Sequence, residues 1–314
     1  MRYVFIVNPK AGKRNPYEGE FSAIEKRFRE RGIPYSVRFT ERPKHATEIV
    51  REEAASGEPV RVIAVGGDGT LCEVANGAMH RPNVEVGLVP CGSGNDYLRI
   101  YGEKEDFMDP DRLIDGEAVA VDMIDNAYLP SINICSCGID SDVAMGMKHY
   151  KTLPFVSGPM AYNLALVKAF LGKLGHHMKI TVDGKVVGDE RYLIAVVANA
   201  MYYGGGYCAS PESKVNDGIL DIILIRVPKS RFQIPKLLKY YKAGVHLHHK
   251  EFEPLLTYLH GERITIETDE EVAVNSDGEC ALMKSISYQV DKHALRFILP
   301  KDCKKSVLDE TEIG

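Results

Sequence analysis

The chain has 314 residues, which exceeds the usual size of a single hydrophobic core and predicts two domains. Its 39 Lys and Arg residues against 44 Asp and Glu residues give a formal net charge of −5, so nucleic acid is not expected as a partner. The seven cysteines are scattered, and no apolar run is long enough for a signal peptide or a membrane-spanning helix. We therefore expect a reduced, cytoplasmic protein.

The first third of the sequence alternates between strand and helix patterns. Short β-branched runs indicate strands, and apolar residues at a spacing of three and four indicate helices. The strands are predicted at residues 3–7, 35–39, 62–65 and 86–89, and the helices at residues 18–31, 46–55, 71–79 and 95–100. This alternation predicts an α/β domain with a parallel sheet covered by helices, with ligands at the carboxyl ends of the strands.

After residue 122 the pattern changes to short β-rich segments separated by turns. The predicted strands are residues 131–134, 179–182, 192–198, 219–225, 263–268, 285–290 and 294–298. Turn pairs such as Asp183-Gly184 favour hairpins, so we expect a mainly antiparallel β-sandwich, interrupted by helices at 161–171 and 232–244. The predicted domains are 1–122 and 123–290, with 291–314 as a strand returning towards the first domain and a frayed tail.

The most informative segment is the glycine turn "GGDGT" at residues 66–70, between a predicted strand and a predicted helix. Glycines let a backbone approach a phosphate closely, and the N–H groups at a helix start point towards an anion. An acid in such a turn would repel the phosphate unless a cation stands between them, so Asp68 implies Mg²⁺. The alternative is a helix N-cap formed by Asp68 or Thr70.

Two further segments narrow the interpretation: "IVNPKAG" at residues 6–12 and "VPCGSGNDYLR" at residues 89–99. Together with "GGDGT" they resemble the lipid-kinase branch of the diacylglycerol kinase superfamily, which also includes the NAD kinases. The resemblance implies an ATP-dependent transfer of the γ-phosphoryl group to a hydroxyl of diacylglycerol or a related lipid. It also implies peripheral attachment at the inner membrane face. Two alternatives are a kinase for a soluble acceptor, as in NAD kinase, and a nucleotide-binding regulator without catalysis.

The resemblance also implies which residues contact the nucleotide. These are Asn8, Lys10, Ala11, Gly12, Thr40, Gly66, Gly67, Asp68, Gly69, Thr70, Leu71, Cys72, Glu73 and Ser93. Lys10 could equally be a solvated turn lysine, because "NPKAG" lacks the Gly-Lys-Ser/Thr ending of a P-loop.

A second implied site is a structural Mg²⁺ in the segment "SPESKVNDGILD" at residues 210–221. By resemblance, the side chain of Asp217 and the backbone carbonyls of Lys214 and Ile219 are its ligands, and such oxygen donors suit Mg²⁺. Relatives often carry a second aspartate where this chain has Asn216, which lowers the negative charge of the site. The alternative is that Asn-Asp-Gly is only a hairpin turn.

The implied catalytic acids lie in three turns. Glu279 matches the general base of the family, with Asp277 beside it in "VNSDGEC". Asp96 and Asp122 match acids that join Asp68 in an acid–water–Mg²⁺ network. From the residues alone, Asp96 could be a helix N-cap, Asp122 a strand-end acid, and Asp277 part of a type I′ turn with Glu279 in solvent.

Two remaining patterns concern partners. The basic, amphipathic residues 229–244 could lie on an anionic bilayer or pack on the sandwich with a basic outer face. The run "HLHH" at residues 246–249 lacks the acids or cysteines of a metal site and is expected at a solvated helix end. A homodimer is left open.

Overall fold

The computed structural model describes residues 1–12, 16–92, 94–150, 152–153, 157–305 and 308. Its strands are β1 (Arg2–Val7), β2 (Tyr35–Phe39), β3 (Val60–Gly66), β4 (Val84–Pro90), β5 (Glu117–Asn126), β6 (Ile134–Gly138), β7 (His176–Val182), β8 (Lys185–Ala198), β9 (Tyr202–Tyr203), β10 (Tyr207–Cys208), β11 (Leu220–Arg226), β12 (Leu256–Gly261), β13 (Arg263–Ser276) and β14 (Glu279–Leu299). Its α-helices are α1 (Glu20–Glu30), α2 (His45–Ala54), α3 (Asp68–Ala78), α4 (Lys104–Met108), α5 (Pro110–Ile114), α6 (Ile139–Tyr150), α7 (Gly158–Leu171) and α8 (Ile234–Lys242).

The strands of the first third pair in parallel in the order β2-β1-β3-β4. Their register sets Val7 beside Val65 and Val65 beside Val89, so the three strands end at one edge of the sheet. Alternate side chains of these strands pack into two hydrophobic cores, one on each face of the sheet. Helices α2 and α3 pack on the face that includes Val4, and α1 packs on the face that includes Phe5. Each glycine turn that follows these strands therefore starts from the same edge.

Strand β14 joins the two halves of the chain. It pairs antiparallel with β13 and with β5, and near its end Phe297 pairs in parallel with Val86 of β4. The sheet is therefore continuous and mixed, and the predicted parallel sheet is limited to four strands within it. The boundary predicted at residue 122 falls within β5, and the one predicted at residue 290 falls within β14.

The second half packs a core between its strands and adds helices outside. Met178, Tyr192 and Ile264 belong to the core of β7, β8 and β13. Helix α8 buries Leu237 and Tyr241 against the sheet. Packing on the sheet thus accounts for these two apolar residues of α8.

Several predicted elements differ from the observed ones. The strand expected at 131–134 begins only at Ile134, and the segments 285–290 and 294–298 belong to one strand, β14. The helix expected at 95–100 is a short 3-10 helix, Tyr97–Ile100, because Asn95 has a left-handed φ of 51°. Helix α6 and strands β5 and β12 were not predicted. Within the described ranges, no helix is long and apolar enough to cross a membrane.

Candidate active site

The three glycine turns at the sheet edge pack directly against one another. Gly12 has a φ of +72°, and a Cβ atom there would collide with the carbonyl oxygen of Cys91. A Cβ atom on Gly67 would lie 3.0 Å from the Cα of Gly92. Close backbone contact therefore brings together the turns that follow β1, β3 and β4, and only glycine permits it at these positions.

The glycines of the 66–70 turn have different surroundings. The side chain of Thr70 covers Gly66, and Nδ2 of Asn8 donates to Thr70 Oγ1 at 3.3 Å. In contrast, a Cβ atom on Gly69 would meet no atom within 4 Å. Packing thus explains Gly66 and Gly67 but not Gly69, whose missing side chain leaves space at the start of α3.

Asp68 and Asp96 lie side by side where the second and third turns meet. Asp68 Oδ1 accepts the backbone N–H of Asp96 at 2.7 Å, and a Cβ atom on Gly94 would lie 2.5 Å from Asp68 Oδ2. Burial raises the pKa of Asp68 to about 6, and the Asp96 carboxylate adds to that rise. Asp96 in turn accepts from Arg99 Nε at 3.1 Å and from the Gly205 N–H at 2.6 Å.

Asp277 occupies the tight turn between β13 and β14, with a φ of 47°. Its carboxylate accepts hydrogen bonds from Ser131 Oγ at 2.6 Å and from the N–H groups of Ile132 and Ile134 at 2.9 and 3.1 Å. Burial raises the pKa of Asp277, and these hydrogen bonds oppose the rise. The carboxylate thus fixes residues 131–134, which the sequence had suggested as a strand.

Glu279 has a different environment, two residues further on. Its side chain is 61% exposed, and Oε2 lies 2.7 Å from Nζ of Lys148 on α6. Both Glu279 and Asp277 line a cleft that opens at the sheet edge. Lys148 was missed because α6 was not predicted, although Ile139, Val143 and Met147 have helical spacing.

Asp122 lies on β5, and its side chain binds two backbone segments that are distant in sequence. Its two carboxylate oxygens accept the backbone N–H groups of Gly218 and His293, both at 2.7 Å. Asp122 is fully buried and does not line the cleft. These two hydrogen bonds connect Asp122 to the loop that carries Asp217, and the network with Asp68 and Asp96 stays a prediction.

The predicted metal residues Lys214, Asp217 and Ile219 also lie outside the cleft lining. Asp217 Oδ1 accepts the N–H of Ile219 at 3.1 Å. Burial raises the pKa of Asp217, and the carboxylates of Asp221 and Asp122 raise it further. In the described part of the chain, no group of three or more His, Cys, Asp or Glu side chains is arranged to hold a metal ion. A cation at this loop would need backbone carbonyls and water as its other ligands, a donor set that suits Mg²⁺.

Glu73, predicted to contact the nucleotide, also has a structural contact. Its carboxylate accepts the backbone N–H groups of Lys44 and Ala46, at 2.9 and 3.2 Å. Lys44 precedes α2 with a left-handed φ of 66° and provides no side-chain cap. Glu73 therefore caps α2 from α3 and fixes the two helices together.

A cleft of about 1440 Å³ opens at the sheet edge. Most of the residues predicted to bind nucleotide line it, namely Asn8, Lys10, Ala11, Gly12, Thr40, Gly67, Asp68, Gly69, Thr70, Leu71, Cys72 and Glu73. Gly66 lies behind the lining, and Ser93 lies outside the described residues. Asp96 lines the cleft as well, so the acids Asp68, Asp96, Asp277 and Glu279 all face one space.

The cleft continues into an apolar chamber in the second half of the chain. Helices α6, α7 and α8 and strands β8 and β11 form its walls, with side chains that include Val143, Met147, Leu166, Ile194, Ile225 and Leu237. Asp140 is a polar group in this wall, and it accepts from Ser136 Oγ at 2.6 Å. The chamber was not predicted from the sequence, because its residues are ordinary apolar ones that are far apart in the chain.

Comparison with known proteins gives an independent view of both halves. The family model for the diacylglycerol kinase catalytic domain matches residues 2–125, and the model for the YegS C-terminal NAD kinase beta sandwich-like domain matches residues 133–299. The second match supports the sandwich-like character predicted for the C-terminal half.

Relatives match over most of their length. The chain is 26% identical to a diacylglycerol kinase of Bacillus subtilis (strain 168), over 97% of this chain and 98% of the relative. It is 28% identical to a Shewanella frigidimarina protein named "Probable lipid kinase YegS-like", over 88% of each.

Solved structures share the fold. A diacylglycerol kinase from Bacillus anthracis str. Sterne superposes with a TM-score of 0.65 at 21% identity, covering 98% of each chain. Another protein of that organism reaches 0.75 at 23% identity, covering 96% of this chain and 97% of the other. Two family models thus account for nearly the whole chain, as the glycine-turn motifs predicted, and the chain belongs to the diacylglycerol kinase and YegS-like lipid kinase family.

Proposed function

We propose that this protein is an ATP-dependent lipid kinase that transfers the γ-phosphoryl group of Mg²⁺-ATP to a hydroxyl of diacylglycerol or a related lipid. The observation that carries the proposal is the continuity of the cleft. One space runs from the glycine turns, where Gly69 leaves room beside α3, to the apolar chamber between α6, α7 and α8. Such a space can hold a triphosphate at one end and an acyl chain at the other.

At the nucleotide end, we assign phosphate binding to the turn of residues 67–70 and the start of α3. Backbone N–H groups at a helix start favour anions, and the N-cap residue Gly67 has no side chain to compete for them. Lys10 and Asn8 line the same end and add polar contacts. The carboxylates of Asp68 and Asp96 would then face the cation that accompanies the phosphates.

At the acceptor end, we assign the proton transfer to Glu279. Its carboxylate is exposed to the cleft, whereas the Asp277 carboxylate is engaged by three hydrogen-bond donors. A base within reach of the attacking hydroxyl takes its proton as the phosphoryl group is transferred. Lys148 would hold Glu279 in place until the acceptor hydroxyl arrives, and Asp277 would position the hairpin that carries Glu279.

We assign a structural Mg²⁺ to the loop of residues 214–219, with the Asp217 side chain and the carbonyls of Lys214 and Ile219 as its ligands. Negative charge from Asp221 and Asp122 near Asp217 favours a cation there. When bound, the ion would supply a fixed loop conformation and no chemistry. Asp122 would support the same loop through Gly218.

The proposal is tested with purified protein, labelled ATP, and a panel that contains diacylglycerol, related lipids and NAD. We expect label in a lipid product. Filling the chamber with Ala144→Phe should lower the rate with long-chain diacylglycerol more than with a short-chain analogue. Ala55→Phe, at an exposed position after α2, is the matched control and should change neither rate.

Labelled NADP without any labelled lipid would overturn the lipid assignment in favour of a soluble acceptor. ATP binding without transfer to any acceptor would favour a regulator. If Ala144→Phe lowers the rate equally with long-chain and short-chain acceptors, the acyl chain does not bind in the chamber.

A further inference from the structure

Helix α7 buries small residues and exposes large apolar ones, which is the reverse of the usual pattern of a surface helix. Its small residues Ala161 and Ala165 are buried, and Ala165 faces Gly146 of α6. Its large apolar residues are 42–67% exposed and follow a spacing of four, three and four, which aligns them in one stripe: Met160, Leu164, Val167 and Leu171. A surface helix normally buries such a stripe, so its exposure indicates an interaction surface.

Phe232 extends this stripe at the C-terminal end of α7. Its side chain is 82% exposed, and its ring centroid lies 6.5 Å from that of Phe170. Arg231 Nη1 donates to the carbonyl oxygens of Phe170 and Leu171, at 2.8 and 3.0 Å. These bonds fix the turn before α8 to the end of α7. We call the stripe together with Phe232 the α7–Phe232 face.

The two sequence segments that contain this face have only cations among their acidic and basic side chains, and five of these cations pair with acids elsewhere in the chain. Residues 143–182 and 222–250 together contain twelve Lys and Arg and no Asp or Glu. The other residues carry 27 Lys and Arg against all 44 Asp and Glu. Exposed apolar side chains among cations complement a bilayer with anionic headgroups. A symmetric contact with a second copy of this chain would instead bring two cationic faces together.

The face and the apolar chamber lie on different sides of α7, because Tyr162 and Leu166 are roughly half a turn around the helix from the stripe. Tyr162 and Leu166 lie on α7 and line the chamber, and Ile234 and Leu238 do so from the segment that follows Phe232. A bilayer beneath the face would therefore lie one helix away from the chamber, and a lipid would enter at the Phe232 end, where Ile234 and Leu238 line it. This step rests on the lipid kinase function proposed above.

We propose that the α7–Phe232 face docks on an anionic phospholipid bilayer and positions the chamber against the membrane surface. Apolar side chains enter the boundary between headgroups and acyl chains, and the surrounding lysines contact the headgroups. Docking by the face therefore requires both the stripe and the cations.

The test is co-sedimentation of the full-length protein with vesicles. One set contains phosphatidylcholine with phosphatidylglycerol, and the other contains phosphatidylcholine alone. We expect binding to the anionic set to fall by about tenfold in Phe232→Ser and in Leu171→Ser, because each removes a side chain that becomes buried in the interface. Val186→Ser, at an apolar position that is 58% exposed on β8, is the matched control and should bind like the wild type.

Charge is tested separately from apolar contact. Lys168→Gln and Lys239→Gln should each weaken binding to the anionic vesicles by roughly fivefold and leave weak binding to neutral vesicles unchanged. Lys26→Gln on α1, away from the face, should have no effect.

Kinase activity on lipid dispersed in detergent separates this inference from the proposed function. Phe232→Ser should retain that activity and lose activity on vesicles, since Phe232 does not line the cleft. Vesicle binding by a protein that phosphorylates no lipid would reject the function and support the face. Equal binding to both vesicle sets, or an equal loss in Val186→Ser, would overturn the proposal. A wild-type dimer that Leu171→Ser dissociates, with no vesicle binding, would assign the face to a second copy.

Discussion

The backbone N–H of Asp96 donates a 2.7 Å hydrogen bond to Oδ1 of Asp68. This bond connects the glycine turn after β4 to the acid in the glycine turn after β3. The bond holds two carboxylates next to each other in the wall of the cleft. Two adjacent negative charges are costly unless one is protonated or a cation lies nearby. In the proposed function, a Mg²⁺ ion accompanying the nucleotide phosphates would relieve this repulsion and would account for the acid in this turn.

The first prediction concerns catalysis by this pair. Asp68→Ala should abolish turnover and leave the fold intact, because Asp68 lies in a cleft-facing turn and not in a hydrophobic core. Turnover is measured with labelled ATP, and folding by circular dichroism. A folded variant that keeps more than about a tenth of the wild-type rate, a barrier change below ~1.4 kcal/mol, would exclude Asp68 from the catalytic network.

The second prediction concerns stability and pH. Burial raises the pKa of Asp68 from 3.8 to about 6, so the folded state holds a proton that the unfolded state releases between these values. The free energy of unfolding should therefore fall as pH rises through this window, by at most ~3 kcal/mol from this group. Asp68→Asn should lack that fall and be more stable than the wild type at pH 7.

Urea denaturation without Mg²⁺, at several pH values, measures this difference. Glu58→Gln, at an exposed position, is the control. If the free energy of unfolding falls equally for the wild type and Asp68→Asn between pH 4 and pH 7, the Asp68 carboxylate does not carry this proton.

The third prediction separates the two acids of the β13–β14 hairpin. Glu279→Gln keeps the size of the side chain but removes its basicity, so it should lower the rate about 10²–10⁴-fold with little change in melting temperature or nucleotide affinity. Asp277→Asn should lower the melting temperature, because its carboxylate accepts three hydrogen bonds from residues 131–134.

Steady-state kinetics and thermal denaturation of both variants make this comparison. Full activity in Glu279→Gln would leave Asp277, or no residue, as the base. Unchanged stability in Asp277→Asn would contradict its structural role.

The fourth prediction addresses the loop of residues 214–219. Mg²⁺ should raise the melting temperature of the wild type, because an ion that binds only the folded state stabilises it by mass action. Asp217→Asn should show a smaller rise that higher Mg²⁺ concentrations partly restore. Asp125→Asn, an exposed acid on β5, should behave like the wild type. An equal response of all three proteins would show that the segment is only a turn.

The fifth prediction distinguishes two glycines of α3. Gly69→Ala should keep or slightly raise the melting temperature, since a Cβ atom there meets nothing and alanine favours helix by about 0.5–1 kcal/mol. It should nevertheless weaken ATP binding, because the added methyl group enters the phosphate space. Gly77→Ala should instead lower the melting temperature without weakening ATP binding, because its Cβ atom would lie 2.6 Å from Cβ of Val50.

Thermal denaturation and calorimetric ATP titration provide both readouts. If Gly69→Ala binds ATP as tightly as the wild type, the phosphates do not approach Gly69.

The first half of the fold was predictable because its signals are local. β-Branched runs that end near glycine mark β1, β3 and β4, and the register of Val7, Val65 and Val89 follows from their parallel pairing. The close contact of Gly67 with Gly92 is a consequence of that register. The sequence therefore predicted a ligand site at the carboxyl ends of these strands and most of the residues that line the cleft there.

The second half was less predictable because its contacts are distant in sequence. Asp122 accepts hydrogen bonds from the N–H groups of Gly218 and His293, which lie 96 and 171 positions further along the chain. No local sequence pattern predicts those partners. Helix α6 carries one glycine and a mixed pattern that does not stand out from the surrounding strands. Its neighbours α7 and α8 complete the chamber with residues that are far apart in the chain, so the chamber became apparent from the structure.

The long strand β14 has a consequence for how the protein is made. Val86 and the adjoining edge of β4 pair with residues near position 297, and β5 pairs with the same strand. During synthesis, the first half of the chain therefore keeps an unpaired strand edge until almost the whole chain has left the ribosome. Contacts of such long sequence separation slow folding and leave intermediates prone to aggregation. We expect truncations before β14 to be insoluble and not to yield an isolated nucleotide-binding domain.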